Sequence, residues 1–166
     1  MNLRNKLHFT INDYTFRESD KFHLHPLISN ELIQETITEQ FEYIEECISN
    51  KMFNISVTHD FLHTIGVTHC VKCPPNTKGV YFTHRGNRPY LSRMIKGIAP
   101  QETSLCTVII RFNDSTKDFI IISAWIGGSS KPELGNINYF EHCSNPLQEI
   151  MESAEFWMNH ALVKEN

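Results

Sequence analysis

The residues from Phe119 to Ile126 (FIIISAWI) are apolar on both alternating faces. A strand of that kind needs cover on both sides, so it predicts the centre of a sheet with a helix packed over it. Ser123 interrupts the run and Gly127–Gly128 ends it, far short of the ~20 residues of a membrane helix. Just before it, Thr107 to Phe112 reads as a strand and Asn113 to Asp118 as a polar turn. The two strands therefore form a hairpin, around which the remaining elements must be arranged.

The clearest helix begins at Ser29 or Asn30, which supply a cap, with Glu31 in the first turn. Ile33, Ile37, Phe41, Ile44 and Ile48 make one apolar stripe, with Leu32 and Cys47 beside it. Six glutamates (Glu31, Glu35, Glu39, Glu42, Glu45, Glu46) cover the opposite face, which would repel a polyanion and so faces away from one. A second helix opens at Asn145–Pro146, with an apolar stripe running from Leu147 through Trp157 to Leu162. Between the two, Phe53–Val57, Val67–Val71 and Val80–His84 read as strands, and Leu91–Ile95 as a strand or a short helix ended by Gly97. Thr58 reads as a cap for a helical turn that places His59 and His63 at i, i+4 on one face. Near the N-terminus, Leu7–Ile11 alternates as a strand and Asn12–Asp13 marks a turn; His23 and His25 precede Pro26.

A chain of 166 residues suffices for one domain with an adequate core. The expected fold is α+β: an N-terminal amphipathic helix and a C-terminal helix on a curved antiparallel sheet of about four to six strands. The expected map is a peripheral strand or arm over 1–28, helix 29–50, sheet 53–126, loop 127–146 and closing helix 146–163. Five cysteines without framework spacing, and no apolar core after Met1–Arg4, fit a reducing cytoplasm.

Charge is unevenly spread. From Phe61 to Gln101 there are six Lys or Arg (Lys72, Lys78, Arg85, Arg88, Arg93, Lys96), three histidines and no carboxylate. The whole chain holds 15 basic and 19 acidic residues, which leaves 9 against 19 outside this stretch. Such a segment is either an anion-binding surface, with RNA phosphate the leading ligand, or a face that pairs with the acidic remainder of the same molecule.

Metal-free RNA cleavage needs a base for the ribose 2′-hydroxyl, an acid for the 5′-oxygen, and cations or hydrogen-bond donors for the phosphorane. His59 and His63, with His69 and His84, suit the proton transfers. Arg85, Arg88, Arg93 and Lys96 suit the phosphate, and Ser123 is the one hydroxyl in an apolar strand. Tyr90, like Tyr81, is a candidate for stacking on a base. His160 follows Trp157 and is either a further catalytic histidine or one placed at a helix C-terminus. The alternative chemistry is zinc: Cys70 and Cys73 form a CxxC, with His69 and His63 nearby, but this lacks the second ligand pair of a complete site. No Walker-type or Rossmann glycine loop is present.

The order of VTHDFLH (57–63), SRMIKG (92–97), ETSLCTVI (102–109), ISAWIG (122–127) and FWMNHAL (156–162) resembles that in small bacterial and phage proteins similar to the barnase–EndoU–colicin–RelE superfamily of ribonucleases and toxin domains. The resemblance spans roughly residues 55–163. It implies a helix on a curved antiparallel sheet and a metal-independent site on the open face, with no cofactor. The resemblance implies His63 or His59, Arg93 and Ser123 at its functional positions. The resulting expectation is a cytoplasmic, toxin-type endoribonuclease acting on RNA, tRNA or mRNA included, with a cognate inhibitor as a second partner and no membrane association. Two other readings stay open: a non-catalytic binding or inhibitor protein using the same basic face, and a zinc-stabilised module around Cys70 and Cys73.

Overall fold

A computed structural model describes residues 5–24 and 28–164, so His25 lies outside the described residues, as does the side chain of His23. The elements in order are β1 His8–Ile11, β2 Tyr14–Leu24, α1 Asn30–Glu39, α2 Phe41–Ser49, β3 Asn54–Asp60, β4 Gly66–Thr68, β5 Cys70–Lys72 and β6 Val80–His84. They continue as β7 Leu91–Ile95, β8 Gln101–Thr103, β9 Leu105–Asn113, β10 Asp118–Ile126, α3 Ile137–Glu141, α4 Pro146–Met158 and β11 His160–Val163. The class is α+β. Its eleven strands among the described residues exceed the four to six expected, and they form three sheets instead of one. The chain falls into two compact units: residues 1–66 with 103–129, and residues 67–102 with 130–166. The short strands β4 and β8 pair with each other.

In the first unit the strand order is β1-β2-β10-β9-β3, which puts the apolar strand β10 at the centre. The sheet is mixed, since β2 runs parallel to β10 while the other neighbours are antiparallel. Asn12 and Asp13 close the β1–β2 hairpin, both with positive φ, a conformation these side chains tolerate better than most. Within the region expected as a peripheral strand or arm, β1 is the edge strand of this sheet and β2 its inner neighbour. Phe16 and Phe119 stack at 4.4 Å, and Phe9 stacks on Phe16 at 5.0 Å. Ile33 and Ile37 of α1, and Phe41 and Ile44 of α2, bury their side chains in the same core.

The single N-terminal helix expected over 29–50 is two helices, broken at Gln40. Thr36 and Thr38 return their hydroxyls to the carbonyls of Leu32 and Gln34, at 2.7 and 2.8 Å, a habit that bends helices. The apolar stripe stays in register across the break, and all six glutamates are exposed. Ser29 caps α1 by accepting from the Leu32 N–H.

In the second unit the order is β5-β11-β7-β6. Its core is small: Val71, Cys73, Ile95, Ala161 and Val163, with Val80 against them. The closing helix stops at Met158, and His160–Val163 is a strand, antiparallel to β5 and parallel to β7. Helical spacing extends to Leu162 in the sequence, but β5 and β7 each need a partner for a row of backbone groups, and β11 serves both. Asn145 caps α4 as expected, with Pro146 at its start. The 127–146 segment contains the short helix α3. Gly79 adopts φ +92° with its Cα packed against the Lys96 carbonyl, 2.9 Å from where a Cβ would stand.

Candidate functional site

His59, His63 and Ser123 belong to the first unit. His59 lies within β3, because Val57 to Asp60 continue the strand where a capped helical turn was expected. It follows Ile55 and Val57 in alternation, so it points to the helix-covered side, its ring edge-on to Phe61 at 4.7 Å. Ser123 is in register with Ile109, and Ile109 with Ser56, which puts Ser123 on the opposite side of that sheet. His59 and Ser123 therefore do not share a face. His63 follows the strand in an irregular segment where Leu62 takes φ +62°, so the i, i+4 pairing with His59 does not exist. The His63 Nδ1 stands 2.9 Å from the Phe61 carbonyl. Only an N–H can bond to a carbonyl, so Nδ1 carries the proton and the exposed ring presents Nε2 as a base.

The face that carries Ser123 also carries a hydroxyl chain that sequence reasoning missed. Thr107 donates to the Gly127 carbonyl at 2.8 Å, and Thr58 lies 2.9 Å from Thr107. With its one hydrogen used on Gly127, Thr107 accepts from Thr58. The signal was present in the alternation of Ser56 and Thr58 with Ile55 and Val57, but the reading of Thr58 as a helix cap hid it.

Arg93, His160, Arg85, Arg88, Lys96, Tyr90, Cys70 and Cys73 belong to the second unit, and several of them are brought together. Arg93 Nη1 donates to the carbonyls of Cys73 and His160, at 3.0 and 2.9 Å, and Nη2 makes a marginal 3.5 Å approach to Pro74. The guanidinium is thus fixed by main chain at the junction of β5, β7 and β11. Its Nε–H and one Nη2–H remain, the fork that grips two oxygens of a phosphate. His160 Nδ1 stands 2.9 Å from the Phe156 carbonyl, and the ring stacks on Phe156 at 4.0 Å. Its proton is therefore also on Nδ1, and Nε2 is the basic nitrogen.

Beside Arg93 lies a cavity of about 390 Å³, walled by Phe82 and Leu91 of the sheet and by Ala154, Trp157 and Met158 of α4. Pro75, Glu133 and Leu134 complete the wall. Phe82 is in register with Arg93 across β6 and β7, so both point to one side. The Trp157 indole donates to the carbonyls of Lys131 and Pro132, which ties α4 to the segment leading into Glu133. Phe82 and Leu91 are 62 % and 53 % exposed, large values for apolar side chains beside a cavity.

The other basic residues take different roles. Arg85 pairs with Glu133 at 3.3 Å and donates through Nε to the buried Ser92 hydroxyl. Lys96 stands 4.7 Å over the Tyr81 ring. Arg88 makes only a 3.4 Å approach to the Arg85 carbonyl. Tyr90 packs so closely over Gly135 that a Cβ there would overlap it. His84 Nδ1 lies 3.1 Å from the carbonyls of both Arg88 and Tyr90, closing the loop between β6 and β7. Of the six cations in the acid-free stretch, Arg85 alone has a carboxylate within ion-pair distance among the described residues.

Cys73 is buried, and burial pushes the Cys70 thiol up to about 11, with the Glu133 carboxylate adding to the shift and Arg85 opposing it. No group of three or more His, Cys, Asp or Glu among the described residues is placed to hold a metal ion. The CxxC therefore stands without the further ligands that a four-coordinate zinc site requires.

Comparison with protein-family models, with curated proteins and with solved structures found no match. The fold defines an α+β protein of two compact units. No helix among the described residues is long and apolar enough to cross a membrane.

Proposed function

We propose that this protein is a metal-independent endoribonuclease of toxin type that works in the cytoplasm. The reading is supported above all by Arg93, a guanidinium pinned to main-chain carbonyls yet left without a carboxylate and with a phosphate-gripping fork to spare. Unpaired Lys72, Lys78, Arg88 and Lys96 of the same unit add attraction for a polyanion. In the reaction a 2′-hydroxyl loses its proton to a histidine and attacks the adjacent phosphorus. The P–O5′ bond breaks, and the departing oxygen takes a proton, leaving a 2′,3′-cyclic phosphate and a 5′-hydroxyl. Arg93 neutralises charge on the phosphorane, and His160, which meets Arg93 through its main-chain carbonyl and keeps Nε2 unprotonated, is the proposed proton carrier of the second unit.

The test is cleavage of a labelled RNA in EDTA, with the DNA of the same sequence as a control that lacks the nucleophile. RNA is cut to cyclic-phosphate ends and DNA is not. His160→Ala lowers the rate about 10²–10⁴-fold, the range for a lost proton carrier. His63→Ala and Ser123→Ala are assayed separately for the roles that the resemblance assigns them. Uncut RNA that is nevertheless bound tightly favours the second reading, a binding protein that uses the same unpaired cations.

A further inference from the structure

We infer that the apolar cavity of the second unit is a nucleobase slot, so that RNA is held by one base in the cavity and its neighbouring phosphate on Arg93. This rests on the reading of that unit as phosphate-binding, and it names what lies next to the phosphate. At about 390 Å³ the cavity is at the small end of ligand pockets, which run from about 300 to 1,000 Å³, and has room for one nucleoside-sized group. Its wall is apolar apart from Arg93 and from Glu133, which is paired with Arg85, and an aromatic ring, Phe82, stands opposite Arg93 in the strand register.

A base has two apolar faces and is attached to an anion a short distance away, and the cavity repeats that arrangement with an exposed ring beside an unpaired guanidinium. An acidic protein segment would match the cations, but a carboxylate needs no flat apolar slot beside it. A basic segment is disfavoured by Arg93 on the wall, because the one carboxylate there, Glu133, is already paired with Arg85. Because the wall offers little hydrogen-bonding surface, recognition is by stacking and dispersion. It therefore tolerates any base and favours the larger face of a purine.

The experiment measures fluorescence anisotropy of labelled 2′-O-methyl RNA hexamers, which lack the nucleophile, so binding is read independently of cleavage. A hexamer with abasic residues carries the same phosphates without bases. The wild-type protein binds the base-bearing hexamer more tightly than the abasic one. Phe82→Ala weakens base-bearing binding roughly 5- to 100-fold and leaves abasic binding unchanged. Phe82→Trp restores it. Phe82 is mostly exposed, so its truncation leaves the fold intact, which circular dichroism checks on the same samples.

Equal affinity for the two hexamers, or no effect of Phe82→Ala, overturns the slot. So does sedimentation showing a dimer that Phe82→Ala dissolves, which would assign the cavity to a second copy. A protein that binds by this pattern but never cuts RNA loses the ribonuclease reading and keeps the slot.

Discussion

Replacing Arg93 by alanine separates two roles that its position combines. Its two good hydrogen bonds, at 3.0 and 2.9 Å to the Cys73 and His160 carbonyls, join the ends of β5 and β11 to β7. A hydrogen bond with a charged partner contributes about 1.5–3 kcal/mol. The Pro74 approach at 3.5 Å is too long to count. Arg93 is half-buried, so water regains part of what the two carbonyls lose, and the net cost is about 2–4 kcal/mol. That is large for a unit whose principal buried cluster is five side chains. Urea titration followed by tryptophan fluorescence reads it, because Trp157 reports from the second unit and Trp125 from the first. The expected result is an earlier transition for the second unit and an unchanged one for the first. Arg88→Ala, which removes only a marginal contact, shifts neither by more than about 0.5 kcal/mol. An Arg93→Ala protein as stable as wild type would refute the staple and leave Arg93 with the phosphate alone.

The other expectations are narrower. Burial raises the Cys70 thiol to about 11 in the folded state against about 9 in the free chain. Its neutral form is thus favoured by folding, and stability that is intact below pH 9 falls between pH 9 and 11, by up to about 2.7 kcal/mol. The difference between wild type and Cys70→Ala in denaturation against pH isolates this loss, and parallel profiles would remove it. Thr107→Val leaves the Gly127 carbonyl without its donor in a buried position, at a cost of about 1–3 kcal/mol by chemical denaturation. Leu147 is exposed on α4, so Leu147→Lys changes stability by less than about 0.5 kcal/mol, and a larger loss would mean that the face is covered in solution.

Local signals were legible where the physics is local. The strand periods of Thr107–Phe112 and Phe119–Ile126, the caps at Ser29 and Asn145, and the Asn12–Asp13 turn all stand where the residues put them. The acid-free stretch supplies β5, β6 and β7 of the second unit's sheet, with Lys72 and Arg93 in the strands and the other four basic residues in the connections. What depended on partners was not legible. Helical spacing through Leu162 misled because only the assembled sheet shows two strands awaiting His160–Val163 between them. The same holds for Thr58 and His59, where a cap-like sequence is overruled by pairing with Thr107 and Cys106 of β9. Of the expected α4 stripe, Trp157 is buried, whereas Leu147, Ile150, Met151 and Met158 are exposed and Ser153, outside the stripe, is buried.

The amino-acid order alone thus determined the class of elements, the apolar centre of the first sheet and the separation of charge. The tertiary structure decided the division into two units, the face to which each site residue points, and the use of Arg93 donors on main-chain carbonyls. The physical reason is range. Periodicity and capping act over a few residues, whereas Arg93 meets His160 across 67 positions, a contact that only the folded chain creates.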